Sequence, residues 1–303
     1  MPQMTGGQAL VAQLLREGIE VVFGLPGVQL DWAFDALYDV QDRIRIYHTR
    51  HEQATSYMAD GYARTTGKVG MCLVVPGPGL LNAMAGLSTA YACNSKVLCI
   101  SGQIPSEHIG KGRGMLHEIP HQLEAVRSVT KWAARAMRPE EIPGLVHEAF
   151  RQLHTGRPRP VEIEIPPDVL MNTADVTLLD PEPAEREAGD PDLLEHAARA
   201  LGQAARPIIF AGGGVLAAEA WDELQALAEL LEAPVVMSMN GKGALSDRHY
   251  LAQNMIAARE LTPQSDVILV VGTRFLQPAT SDWGPNGQIV IQMDLFLIKP
   301  IHT

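Results

Sequence analysis

The sequence predicts an α/β protein built from two tandem, doubly wound domains with mainly parallel sheets. Three observations carry that expectation. Short apolar runs alternate with stretches of helical period, the signature of strand–helix–strand units. Most of these runs end at glycine, proline or a polar turn. The alternation breaks once, over Leu178–Asp192, and then restarts. That break reads LLDPEPAEREAGDPD, and its prolines and charge mark an exposed linker. A chain of 303 residues is too long for one small domain. The expected division is therefore 1–177, a linker 178–192, and 193–303.

Each element has a local reason. Thr5 can cap a helix whose Ala9, Leu10 and Leu14 form one buried face. Val21–Phe23 reads as a strand, closed by the turn Gly24-Leu25-Pro26-Gly27. Further strands are expected at Ile44–Tyr47, Met71–Val75 and Val97–Ile100, with helices over 52–66 and 79–93 between them. Pro139–Leu153 reads as a helix with proline near its start, where a missing N–H costs little. Val161–Ile165 is a last strand before Pro166-Pro167. In the second half a helix from Leu193 precedes the strand Ile208–Ala211. A helix through Ala218–Leu231 follows, then strands at Val235–Met237, Val267–Val271 and Ile289–Met293. The last strand should lead into a helix, yet the chain continues as the apolar tail Leu295–Pro300, which reads as an interrupted frame or an artificial end.

Composition narrows the function. Hydrophobic residues make up 46% and charged residues 19%, enough for sizeable cores and contrary to general disorder. The net charge of −11 repels phosphate backbones and anionic lipid, so no nucleic-acid or membrane partner is expected. No run approaches the roughly 20 apolar residues of a membrane span, and no basic, then apolar leader opens the chain. Cys72, Cys93 and Cys99 lie in apolar segments without a CxxC pair, as buried thiols of a reducing compartment do. These features fit a soluble protein of cytoplasmic type.

The most informative stretch runs from His51 to Arg64, HEQATSYMADGYAR. It follows an expected strand and opens a helix, which puts Glu52 at the carboxyl end of a parallel sheet, where such folds bind ligands. A carboxylate in a first helical turn also complements the helix dipole, so Glu52 alone does not define a site. Val75-Pro76-Gly77-Pro78-Gly79-Leu80-Leu81-Asn82 follows, then Gly102-Gln103-Ile104-Pro105. Gly77 and Gly79 could make tight turns and Asn82 could cap a helix, as readily as touch a ligand.

Four blocks in order, G-x-P-G, H-E-Q-A-T-S-Y-M-A-D-G-Y-A-R, G-P-G-x-x-N and G-Q-x-P, resemble the pyrimidine-binding domain of thiamine-diphosphate enzymes related to acetolactate synthase, whose second block reads H-E-x-x-A/S-x-x-x-A-D/E-G-Y-A-R. The likeness covers about residues 5–294 and is strongest before Pro167. It implies that Glu52 hydrogen-bonds the cofactor's aminopyrimidine and promotes the imino tautomer that removes the thiazolium C2 proton. It also implies that Pro26, Gly27, Gly77, Gly79 and Asn82 lie in cofactor loops and that Gln103 is a pocket glutamine. The loop Gly112–Glu118 matches a substrate-side loop reading G-T-D-A-F-Q-E in acetolactate synthases, but carries Leu116 and His117 where phenylalanine and glutamine stand. His117 could be an acid–base catalyst, since its ordinary pKa is near neutral, or a loop histidine in solvent.

Two motifs are set aside. His117-Glu118-Ile119-Pro120-His121 matches HExxH, but Pro120 breaks the helix that zinc chemistry needs, so no metal ligand is assigned. Gly77-Pro78-Gly79 lacks the third glycine of a dinucleotide fingerprint. Gly212-Gly213-Gly214 follows a strand and precedes a helix, and could place N–H groups on a nucleotide phosphate. The likeness puts a G-M-H-G-like flavin segment where this chain has Tyr250–Met255, and an Asp-Arg where Gln277-Pro278 stands. A structural middle domain is therefore expected, not an FAD site.

The family holds the diphosphate through Mg²⁺ bound by G-D-G and a later Asn-Asn pair, and neither occurs here. The chain is thus expected to carry the pyrimidine side of the site only, Mg²⁺ arriving with a further domain, and to be inactive alone. The leading expectation is the front part of a lyase or carboligase acting on a 2-oxo acid or related carbonyl compound, a homodimer or homotetramer at full length. The alternatives are a regulatory subunit paired with a separate diphosphate-binding chain, and a nucleotide-binding module.

Overall fold

A computed structural model describes residues 2–183, 188–275, 284–294 and, as backbone, 297–301. The Gln277-Pro278 pair and the Leu295-Phe296 step lie outside the described residues. The chain divides into two compact units, Met1–Glu185 and Arg186–Thr303.

The first unit opens with β1 (Gln3–Thr5) and α1 (Gly6–Arg16). Thr5 and Gln8 form a reciprocal capping box, each side chain accepting from the other's backbone N–H. Then come β2 (Val21–Gly24), α2 (Asp31–Tyr38), β3 (Arg45–His48) and α3 (Glu52–Thr66). The chain continues with β4 (Gly70–Val74), α4 (Pro78–Cys93) and β5 (Val97–Gly102). The unit closes with α5 (Gln122–Val126), β6 (Trp132–Arg135), α6 (Ile142–His154), β7 (Val161–Ile165), α7 (Pro167–Met171) and β8 (Thr173–Asp175). Six strands form one sheet in the order β3-β2-β4-β5-β7-β6, all parallel. Strands β4, β5 and β7 are buried along their whole length, as a sheet covered on both faces requires. Leu10, Leu14, Leu37 and Val146 pack on one face; Ala59, Leu80, Leu87 and Val126 pack on the other.

The helix expected over 52–66 is α3, and the last strand of this half matches β7. The pattern did not mark the helices α2, α5 and α7, and three further features escaped it. Strand β6 is short and half-buried, so its apolar signal is weak. The antiparallel pair β1–β8 ties the start of the unit to its end by backbone bonds alone. Pro139–Glu141 forms a 3-10 turn, and α6 begins only at Ile142.

The expected linker is also less free than its composition implies. Gln13 exchanges two hydrogen bonds with the backbone of Leu179, at 2.9 Å each. Arg16 pairs with Asp180 at 2.8 Å, and His147 lies between Glu17 (3.0 Å) and Glu182 (3.5 Å). Burial pulls the His147 pKa down, but the hydrogen bonds to Glu17 and Glu182 outweigh it and the net shift is upward.

The second unit consists of α8 (Pro191–Gln203), β9 (Pro207–Ala211), α9 (Gly213–Ala217), α10 (Trp221–Leu231) and β10 (Val235–Met237). After these come β11 (Ala252–Gln253), α11 (Met255–Leu261), β12 (Val267–Val271), β13 (Ile289–Asp294) and β14 (Leu297–Ile301). The sheet order is β11-β10-β9-β12-β13-β14, parallel except for β14. The helix expected through Ala218–Leu231 begins only at Trp221, because Glu219 takes a left-handed φ of 56° between α9 and α10. Where a parallel pattern called for a helix after β13, the chain turns back as an antiparallel edge strand. Both units are doubly wound α/β sheets.

Two outcomes follow. A Cβ on Gly70 would stand 2.0 Å from the carbonyl oxygen of Ala59 in α3. Gly70→Ala should cost about 3 kcal/mol, the upper end for overpacking, measured by denaturant unfolding. Because the folded pKa of His147 is raised, its contribution is complete below its ordinary value of 6.5 and is lost as pH rises through the folded value. Proteolytic cleavage near residues 178–183 should therefore rise as pH climbs above about 6.5, and His147→Gln should remove that dependence.

Candidate functional site

Four loops of the first unit leave the carboxyl ends of β2, β3, β4 and β5, the side where open α/β sheets bind ligands. Glu52 is the first residue of α3, and His51 caps that helix, its Nδ1 accepting from Gln53 N–H at 3.2 Å. The Glu52 carboxylate sits half-buried beside the positive end of α3, so its dipole role and its exposure to a ligand coexist. Asn82 lies in the second turn of α4 and donates through Nδ2 to Glu52 Oε2 at 2.9 Å. It is not the helix cap that its sequence position also allowed, since α4 begins at Pro78. Oε1 of Glu52 meets no hydrogen-bond donor among the described residues.

The glycines close the loops around this carboxylate. A Cβ on Gly27 would stand 2.4 Å from Val75 Cγ1, and one on Gly79 would stand 2.6 Å from Val75 Cγ2 and 3.6 Å from Glu52 Cγ. The two loops thus meet on Val75, and Gly79 leaves the space over Glu52 open. Pro26 is exposed and borders a surface recess with Phe34, Tyr47 and His48. Gly77 has φ +57°, and its missing Cβ leaves room for the carbonyl oxygen of His117.

Two expected site residues make hydrogen bonds inside the protein. Gln103 is buried, its Nε2 donating to Glu164 at 3.2 Å and its Oε1 accepting from Ile104 N–H at 2.7 Å. Both ends of its carboxamide are therefore committed inside the protein. His117 is half-buried and its Nδ1 lies 3.1 Å from Gln29 Oε1, so it is a tethered loop histidine, not one free in solvent. The segment 117–121 is not helical, and His117 and His121 both have positive φ, which removes the geometry of HExxH. Backbone N–H of Met115 holds the Glu118 carboxyl below the ordinary range, with Gly114, Arg113 and Gly112 adding to it against burial.

Sequence reading missed a polar cluster beneath these loops. Glu162 and Glu164 of β7 are fully buried on the α3–α4 side of the sheet. Ser101 donates to Glu162 at 2.6 Å, while Arg135 forms an ion pair with Glu164, which also accepts from Gln122 at 2.8 Å. Burial raises the pKa of Glu162 well above the usual range, and the nearby Glu164 charge adds to it. The signal was present in Val161-Glu162-Ile163-Glu164-Ile165, where strict alternation puts two acids on one face of an expected strand.

In the second unit, two of the three N–H groups that a phosphate on Gly212-Gly213-Gly214 would need are taken by the protein itself. Gly212 N–H donates to Val271 and Gly214 N–H to Gly272, each at 2.9 Å, so neither is available to a phosphate. A Cβ on Gly212 would stand 2.2 Å from Gly272 O, and one on Gly214 2.6 Å from Gly272 Cα. These glycines let two loops touch through their backbones.

A doubly wound sheet with a helix-opening carboxylate, glycine loops closing over it and a second α/β unit defines a two-unit α/β architecture with a carboxylate where such sheets bind ligands. The chain belongs to the thiamine pyrophosphate enzymes. Residues 4–125 match the N-terminal TPP binding domain of that family and residues 194–296 match its central domain. The chain is 36% identical, over 95% of its length and 50% of the relative's, to a probable acetolactate synthase large subunit of Methanocaldococcus jannaschii. It is 40% identical, over 89% of its length and 49% of the relative's, to a probable 2-ketoarginine decarboxylase of Pseudomonas aeruginosa. It is 32% identical, over 95% and 47%, to the acetolactate synthase large subunit of Corynebacterium glutamicum. The chain spans about half the length of the curated relatives it matches.

Gly77→Ala would combine a left-handed φ with a Cβ 2.2 Å from the His117 carbonyl oxygen. It should destabilise the first unit by at least about 2 kcal/mol and speed protease cleavage in 110–121, read by thermal unfolding and mass spectrometry.

Proposed function

We propose that this chain supplies the pyrimidine side of a thiamine-diphosphate site in a carbon–carbon lyase or carboligase acting on a 2-oxo acid or a related carbonyl compound. The observation that carries the reading is the half-buried Glu52 carboxylate, with one oxygen taken by Asn82 and the other without a donor among the described residues, beneath glycines that leave its approach open. The residues fit the group: a planar aminopyrimidine needs a flat opening and one carboxyl oxygen to share a proton with a ring nitrogen. When bound, thiamine diphosphate supplies the electron sink for breaking and making bonds beside a carbonyl.

The chain's own residues then do three things. Glu52 holds or shares a proton at Oε1, and Asn82 fixes the rotamer of the carboxylate from the other oxygen. Gly27 and Gly79 let backbone approach the ring from the loops after β2 and β4. His117, tethered to Gln29, stands on the loop that the resemblance places on the substrate side, where an imidazole can accept or donate a proton.

The diphosphate and its Mg²⁺ require oxygen ligands of a G-D-G and Asn-Asn kind, which these 303 residues do not include. The reading places those ligands on a further domain and assembles the site in a homodimer or homotetramer. Exposed Tyr57, Met58 and Leu81 on α3 and α4, the helices that carry Glu52 and Asn82, support such a partner face. The central domain is read as structural, without FAD, because Gly212 and Gly214 spend their N–H groups on its own fold. A cytoplasmic enzyme of small metabolites fits the acidic composition.

The test uses the isotope-labelled chain, titrated with thiamine diphosphate and with its free aminopyrimidine fragment. Amide signals of Gly27, Glu52, Gly79 and Asn82 should move with both ligands, and Glu52→Ala should weaken binding at least about tenfold. Shifts confined to other residues would overturn the assignment.

A further inference from the structure

The turn that starts α4 is held by a side chain outside the cofactor-facing set. Gln122 opens α5, immediately after the loop that carries His117, and is 1% exposed. Its Oε1 accepts from Gly77 N–H at 2.8 Å. Its Nε2 donates to Glu164 Oε2 at 2.8 Å and to the Gly102 carbonyl at 3.0 Å, with Ser101 Oγ at 3.3 Å. One carboxamide therefore ties the glycine turn to the carboxyl ends of β5 and β7. Glu164 is itself fixed by Arg135 and Gln103, so the anchor does not swing.

Gly77 is clamped from two sides, by Gln122 at its N–H and by the backbone of His117 where a Cβ would be. The first helical bond of α4 runs from Leu81 N–H to the Gly77 carbonyl at 2.9 Å. The next residue is Asn82, the donor to Glu52. A shift of the turn is passed to Asn82 through barely one helical turn, too short a path to absorb it.

We propose that Gln122 is a positioning residue: it latches the Gly77 turn, and through the start of α4 it sets Asn82 on the Glu52 carboxylate. A filler role would need only volume, whereas the latch needs an acceptor for Gly77 and a donor for Glu164 together. Glutamine supplies both without a charge, which matters beside the buried Glu162 and Glu164. The meaning of this for catalysis rests on the cofactor reading above; the latch itself does not.

The experiment is amide hydrogen exchange and side-chain amide NMR on the 303-residue chain, comparing wild type, Gln122→Met and Gln122→Glu over a range of pH. Gln122→Met should lower the Gly77 protection factor at least about tenfold and move the Asn82 Nδ2 signals toward those of a free amide, while Leu98 and Val161 stay protected. In Gln122→Glu a neutral carboxyl can accept from Gly77 and donate to Glu164, so protection should survive at low pH and fall as that carboxyl ionises. Wild type should show no such titration. Unchanged Gly77 protection and Asn82 signals in a folded Gln122→Met would overturn the proposal. If that variant does not fold, Gln122→Glu decides, and a pH-independent protection factor there would overturn it equally. Failure of the cofactor reading registers separately, as absent thiamine-diphosphate shifts at Glu52 in the wild type while Gly77 still responds to Gln122.

Discussion

The hydrogen bond between Asn82 and Glu52 exists because α3 and α4 lie side by side with almost no side-chain volume between them. A Cβ on Gly86 would stand 2.3 Å from Ser56 Oγ and 2.8 Å from the backbone nitrogen of Tyr57. Ala59, Ala63, Ala83 and Ala90 line the same buried region. Small residues bring two helix starts close, so that a carboxylate on one and a carboxamide on the other can meet at 2.9 Å. The same closeness places α3 over β4, where Gly70 gives way to the Ala59 carbonyl. A bulkier seam would keep the helices but separate the two polar groups.

Beneath that seam the sheet carries charge where a parallel sheet usually carries aliphatic side chains. Two acids in the middle of β7 would be prohibitive if both were ionised and unpaired. The structure separates their fates. Glu164 has a cation in Arg135 and amide donors from Gln103 and Gln122, whereas Glu162 has one hydroxyl donor and is pushed toward its neutral form. Every donor to Glu164 comes from an element at or near the carboxyl end of the sheet: β6, the residue after β5, and the start of α5. The cluster therefore braces the loops that surround Glu52, which gives its position beneath them a physical purpose.

Much of the fold was legible in the chain because its strands are short apolar runs with sharp ends. Val161–Ile165, Val235–Met237 and Val267–Val271 are strands at the residues their patterns mark, and α3 spans 52–66. Elements whose stability comes from partners far along the chain were not legible. Strand β6 is held by pairing with β7, and β1 by pairing with β8; neither has an apolar period of its own. The docked start of the linker is the same case, since Gln13, Arg16 and His147 lie far from it in sequence.

Local sequence determined the strands, the helix starts and the placing of Glu52 at the head of α3, because periodicity, capping and turn chemistry act over a few residues. The four ordered blocks also marked the loops that leave the carboxyl ends of β2, β3, β4 and β5. Tertiary structure alone decided what those residues face. It joined Asn82 to Glu52, turned Gln103 inward to Glu164 and tethered His117 to Gln29. It also spent the N–H groups of Gly212 and Gly214 on neighbouring loops. Each of these depends on two segments far apart in the chain arriving within about 3 Å, a distance set by packing and invisible to any local pattern.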